Sequence, residues 1–114
     1  MSNQNSLVES IRIAFSKSES FNLVTIYRKI TKNKNKIYPV WINYEIAGCF
    51  MHNDKIKVIV IMKQNNFNEE VSQEVFSQMR YDILCLIQKR IRKPIRNIEI
   101  VFNFSKKMNE RQGI

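Results

Sequence analysis

The sequence predicts an α+β domain: a small antiparallel-to-mixed sheet with helices mainly on one face, in the order α-β-β-β-α-β, with a long C-terminal crossover helix. Three observations carry this. Ile56, Val58, Val60 and Met62 alternate with Lys55, Lys57 and Lys63 at period two, as in a strand with one buried face. From Phe67 the period changes. Val71, Val75, Met79, Ile83 and Ile87 recur every four residues, and Phe76, Leu84, Leu86 and Ile91 widen the stripe into a helix face. Beyond Pro94, Ile98, Ile100, Phe102 and Phe104 alternate with Asn97, Glu99 and Asn103 as a returning strand. With 114 residues and 44% hydrophobic content, the chain suits a single domain over 1–114 with one core.

The remaining elements follow in order. The polar N-terminus, 1–6, reads as flexible. Leu7, Val8, Ile11, Ala14 and Phe15 then take the spacing of a short amphipathic helix. Phe21–Ile30 fits strand or helix; the β-branched Val24, Thr25 and Ile26 favour strand. Lys32–Lys36 reads as a polar connection. Tyr38, Val40, Ile42, Tyr44, Ile46 and Phe50 form the buried set of a long strand that Gly48 bends or bulges. His52-Asn53-Asp54 turns it back into the Lys55–Lys63 strand as a hairpin. Asn66 or Asn68 caps the long helix, with Glu69 completing a capping box if Asn66 serves. Glu69, Glu70 and Glu74 near its start, and Lys89, Arg90 and Arg92 near its end, complement the helix dipole. The tail, 105–114, reads as frayed.

Composition narrows the class. No apolar run approaches a membrane span, and the polar start lacks the pattern of a secretory signal, which implies a cytoplasmic protein, peripheral at the inner membrane face only through a partner. Cys49 and Cys85 sit in apolar elements and read as reduced core thiols, with a disulfide between them left open by sequence alone. A net charge of +9 points to an anionic partner. Yet Lys (12) outnumbers Arg (7) while Asn (13) and Ile (17) are abundant, the joint bias that AT-rich codon supply produces, so where the charges lie says more than their sum.

Chemistry-bearing motifs are sparse. One histidine and two isolated cysteines make no familiar metal site. His52 and Asp54 share a turn with no nucleophile partner. Gly48 and Gly113 are the only glycines, so the chain has neither a P-loop, nor a dinucleotide fingerprint, nor a GxxG loop. We expect no enzyme, no cofactor and no small-molecule substrate. Two basic clusters remain. Lys89, Arg90, Arg92, Lys93 and Arg96 bracket Pro94; Arg28, Lys29, Lys32, Lys34 and Lys36 flank the first connection. Either could grip the phosphates of RNA or of an acidic membrane surface, or serve only as a helix end and a solvated turn.

The second face of the sheet is more telling. Trp41, Ala47, Ile59, Ile61 and Val101 lie opposite the clean apolar set, where a solvated face would be polar. Either the N-terminal helix covers this face through Leu7, Val8, Ile11 and Phe15, or Trp41, Ile59, Ile61 and Val101 form a partner or self-association surface.

The stretch from Lys55 to Phe104 resembles the conserved end of the alkaline-shock-protein, or envelope-stress-response, family. That family shows a strand, a helix rich in Glu, Val and Gln, and a final G-K-x-V-x-x-V-N-V-x-V strand. Here Glu69-Glu70-Val71-Ser72-Gln73-Glu74-Val75 resembles the helix start, and Arg92-Lys93-Pro94-Ile95-Arg96-Asn97-Ile98-Glu99-Ile100-Val101-Phe102 the final strand. Glu45-Ile46-Ala47-Gly48 echoes the family's I-A-G. The glycine before the last strand and the Pro-Gly-Val signature are missing. The resemblance covers under half of the chain and implies a non-catalytic adaptor or scaffold of a divergent, short kind. The order of elements, with a basic helix end before the last strand, is also similar to ribosome-binding factor A, a KH-like protein lacking GxxG. That likeness implies contact of Lys89–Arg96 with ribosomal RNA.

Overall fold

Two tight turns and one helix set the order of the strands. The computed structural model describes residues 2–104, with side chains from Ser6 onward. Strands β1 (Ser20–Thr31) and β2 (Lys34–His52) run antiparallel through a turn whose two residues, Lys32 and Asn33, have φ of 46° and 69°. Asn53 and Asp54, at 52° and 63°, turn β2 antiparallel into β3 (Lys55–Asn65). Both turns have positive φ at both central residues, as the twist of a two-residue hairpin demands. A 3₁₀ turn (Glu69–Val71) and helix α2 (Ser72–Ile91) then cross over to β4 (Ile98–Phe104), parallel to β3. The sheet order is β1-β2-β3-β4, and the α-β-β-β-α-β order read from sequence is the observed one. The long helix is internal rather than C-terminal, because β4 follows it.

The helix α1 spans Ser2–Ala14 and so begins inside the polar stretch expected to be flexible. It does not cover the second face of the sheet. Leu7, Val8 and Ile11 share one core with the α2 stripe, and Phe15 stacks edge-on to Phe21, which in turn meets Tyr44. Both helices therefore lie on the same face. The stripe Val71, Val75, Met79, Ile83 and Ile87 is wholly buried against Val40, Ile42, Ile56, Val58, Val60 and Met62.

Local differences from the sequence reading have physical causes. Asn68, not Asn66, caps the helical segment, its side chain accepting from the Glu70 N–H at 2.8 Å. Asn66 is engaged by β2 instead. Only Lys32 and Asn33 form the first connection; Lys34 and Lys36 extend β2. A bulge between Ile46 and Gly48 adds one residue, Ala47, and inverts the alternation beyond it. Cys49 and Met51 thus point into the core, and Phe50, expected inside, is exposed. Arg92 closes α2 in the left-handed conformation, its N–H donating to the Gln88 carbonyl at 2.9 Å, and Pro94 follows. Cys49 and Cys85 are free; Cys49 is buried but Cys85 is exposed on α2 and is no core residue. The tail expected to fray lies outside the described residues.

Candidate functional site

Among the described residues, nothing covers the face of the sheet turned away from the helices. Its side chains come from the even residues of β1 and, before the bulge, the odd residues of β2, followed by the odd residues of β3 and β4. The lengths of the strands divide it. β3 pairs with β2 only from Ile42 to His52, whereas β1 pairs with β2 from Lys34 to Glu45. Residues 34–41 of β2 thus form, with β1, a two-stranded arm reaching past β3.

That arm gathers five of the exposed large apolar side chains of the described residues: Val24 (77% exposed), Ile26, Ile30 (76%), Ile37 and Trp41 (47%). Val24 is opposite Trp41, Ile26 opposite Pro39, and Arg28 opposite Ile37, so these residues adjoin across the two strands. Trp41 is fixed by β3's continuation. Its N–H donates to Asn66 Oδ1 at 2.7 Å, Asn66 Nδ2 donates to the Pro39 carbonyl at 2.9 Å, and the Asn66 N–H donates to the Trp41 carbonyl at 3.2 Å.

The four residues expected as a partner face divide into two groups. Ile59 and Val101 are register partners, and Ile61 follows two residues on, all three half-buried. Trp41 lies four residues along β2 from Glu45, the partner of Ile61, or about 13 Å away. A polar band separates them. Asn43 donates to Asn22 Oδ1 at 3.0 Å, and Glu45 pairs with Lys63 at 2.9 Å while accepting from the Ser18 hydroxyl at 3.1 Å. Those hydrogen bonds, and the Lys63 charge, hold the Glu45 carboxyl below its ordinary pKa. Beyond the second group, Lys57 and Glu99 pair at 2.6 Å. Sequence reading missed Val24, Ile26 and Ile30 because the strand assignment over 21–30 was open, and Ile37 because the second strand was read as starting at Tyr38. The signal that would have found the β1 residues is the even-numbered apolar set Val24, Ile26 and Ile30, alternating with Leu23 and Tyr27.

The two basic clusters do not meet. One flanks the arm's tip beside the start of α2: Lys29 binds the Glu70 carbonyl and pairs with Glu74 at 3.5 Å, and Tyr38 donates to the Glu70 carboxylate. The other lies at the far end of α2, about 30 Å away along twenty helical residues. Part of this second cluster is engaged internally. Arg90 forks onto Glu19 at 3.0 and 2.9 Å, reaches the Ala14 carbonyl at 3.1 Å and lies over the rings of Phe15 and Phe21 at 4.8 and 5.4 Å. Lys93 donates to the Ser10 hydroxyl at 2.9 Å. Lys32, Lys34, Lys36, Lys89, Arg92 and Arg96 are exposed.

Surface depressions add little chemistry. One, beside the bulge, is lined by Ile11, Arg12, Phe15, Ala47 and Gly48, and Arg12 Nε donates there to the Cys49 carbonyl at 3.0 Å. Another lies between α2 and β4 around Arg80 and Glu99. Among the described residues no cluster of His, Cys, Asp and Glu is arranged to hold a metal ion, and no helix is long and apolar enough to cross a membrane. Comparison with protein-family profiles, curated proteins and solved structures finds no match to the chain.

Proposed function

We propose that this chain is a non-catalytic adaptor that binds a protein partner through the open face of its sheet, with the β1–β2 arm as the anchoring region. One observation carries the reading: Val24, Ile26, Ile30, Ile37 and Trp41 are all exposed on one face of a single two-stranded arm, and apolar groups gathered on a surface in this way mark interaction sites. Ordered backbone beneath Trp41 makes it a preorganised anchor, and tryptophan is enriched in interface hot spots. Ile59, Ile61 and Val101 form a second contact group beyond the polar band. The resemblance to the envelope-stress-response family agrees with an adaptor role.

The alternative, a ribosome- or RNA-binding factor working through Lys89–Arg96 and Lys32–Lys36, is less favoured. Its two clusters sit at opposite ends of α2, and Arg90, Lys93 and Lys29 are already bound within the fold. A pull-down from native lysate, with and without nuclease, separates the two. The adaptor reading expects a nuclease-resistant protein partner that Trp41→Ala loses while its circular dichroism stays unchanged. Recovery of ribosomal RNA and proteins that nuclease abolishes, and that Trp41→Ala leaves intact, overturns it.

A further inference from the structure

We infer that the free edge of β1 is a self-association site, at which a second copy of this chain adds its own β1 antiparallel to make an eight-stranded sheet. The proposal goes beyond the adaptor reading, which concerns the sheet's open face rather than its edge.

The direction of the backbone groups is fixed by Asn66. The N–H and C=O of Trp41, and the C=O of Pro39, are taken up from the β3 side. They therefore point away from β1, and Val24 and Ile26, directly opposite them, also point away from β2. By alternation, the N–H and C=O groups of Asn22, Val24, Ile26 and Arg28 all face outward. Among the described residues no strand pairs with that side.

Sheet edges are ordinarily blunted by proline, bulges, charges or brevity. This edge has none of these over its first two thirds. β1 is twelve residues long and pairs with β2 without a register shift. Phe21-Asn22-Leu23-Val24-Thr25-Ile26-Tyr27 carries no charge, proline or glycine, and is the composition that pairs readily with a copy of itself.

Charge selects the orientation. Parallel pairing would set Arg28 and Lys29 against their own copies. Antiparallel pairing about a two-fold axis at Val24 sets Val24 against Val24 of the second copy, Arg28 against Ser20, Lys29 against Glu19 and Phe21 against Tyr27. Each pair lies on the same face of the sheet: Val24 meets its own copy, Ile26 meets Asn22, and the basic end of one strand meets the start of the other instead of its own like charges, while Lys29 and Glu19 keep their partners Glu74 and Arg90. The two arms then extend in opposite directions from the axis, and their exposed patches meet at Val24.

Amide hydrogen exchange on the unmodified chain, at low and high protein concentration and alongside sedimentation, tests this. Expected are a doubled mass and, at high concentration, exchange at least about ten-fold slower for the amides of Asn22, Val24, Ile26 and Arg28. The amides of Leu23, Thr25 and Tyr27, bonded to β2, are protected at both concentrations and serve as the internal control. Free exchange of the outward amides at high concentration overturns the proposal, as does protection that appears along β4 instead. Ile26→Pro removes an outward N–H and is expected to give a folded monomer; should it fail to fold, the exchange pattern of the unmodified chain decides. Trp41→Ala lies off the edge and should leave the mass unchanged, so loss of its partner and loss of the dimer can be told apart.

Discussion

Asn66 lends its side-chain amide to the backbone of Trp41, accepting the Trp41 N–H at 2.7 Å while donating to the Pro39 carbonyl at 2.9 Å. The amide thus imitates one further residue of β3, past the point where that strand pairs. It holds β2 straight where the arm leaves the main sheet, and with it the exposed indole. Asn66→Ala leaves the Trp41 N–H to water and should cost about 1 kcal/mol. The more specific outcome is local: the Trp41 amide should exchange faster and the indole emission should broaden, while the amides of Val58 and Val60 keep their protection. Unchanged exchange at Trp41 would mean that the arm holds its shape without this clamp.

Met79 sits at the centre of the α2 stripe with no exposure, between Val75 and Ile83 and over the sheet. Truncation there leaves a cavity that rigid strands cannot close. Met79→Ala should cost about 2–5 kcal/mol in chemical denaturation. Tyr81→Ala, on the exposed side of the same helix, should cost under about 0.5 kcal/mol. Equal losses at the two positions would contradict the packing of this stripe of α2 against the sheet.

Stability should fall at both ends of the pH range. Glu19, Glu45 and Glu99 are each held below the ordinary value of 4.5, first by hydrogen bonds from Arg90, Lys63 and Lys57 respectively. A lowered carboxyl pKa contributes stability above the unfolded value, and that contribution is lost as pH falls through the folded value. The melting temperature should therefore decline below pH 4.5. At the other end, burial raises Cys49 from 9.0 to about 11 and Tyr44 from 10.0 to about 12. Raised values contribute stability that is complete below pH 9 and is lost between pH 9 and 12. A melting temperature flat from pH 9 to 12 would show that neither group is shielded in solution.

Much of the fold was legible because its signals were local and redundant. The α2 stripe, the Lys55–Lys63 alternation and the turn at Asn53-Asp54 each follow from neighbours a few residues apart. The turn at Lys32-Asn33 was blurred because lysine and asparagine continue into the strand on its far side, and only paired register shows where pairing begins. The inversion after Ala47 was half legible: Gly48 suggested a bulge, yet its effect on Phe50 depends on which residue is left unpaired.

The candidate face was less legible, for a tertiary reason. A period-two pattern says that two faces exist, but not which one receives the helices. The spacing of Leu7, Val8, Ile11 and Phe15 is the same whichever face α1 covers; its position beside α2 is decided by contacts such as Arg90 with Glu19 and Phe15. Nor could sequence show that β1 and β2 overhang β3, which is what separates Trp41 from Ile59, Ile61 and Val101.

Arg90 joins the end of α2 to the loop after α1, and its role there differs from that of a phosphate-gripping residue. Its guanidinium forks onto Glu19 and lies over two aromatic rings, and lysine can reproduce neither the fork nor the planar stacking. Arg90→Lys should lower stability, the ring contacts alone carrying about 1 kcal/mol. The Glu19 carboxyl should also titrate closer to its ordinary value, because the hydrogen bond from Arg90 is the largest influence lowering it. Neighbouring Arg92 and Arg96 are exposed, and replacing both by Gln should leave stability within about 0.5 kcal/mol. Thermal melts with carboxyl titration by NMR distinguish these outcomes. If Arg90→Lys melts like the parent while Arg92→Gln with Arg96→Gln does not, the anchor between the two helices lies elsewhere in this basic cluster.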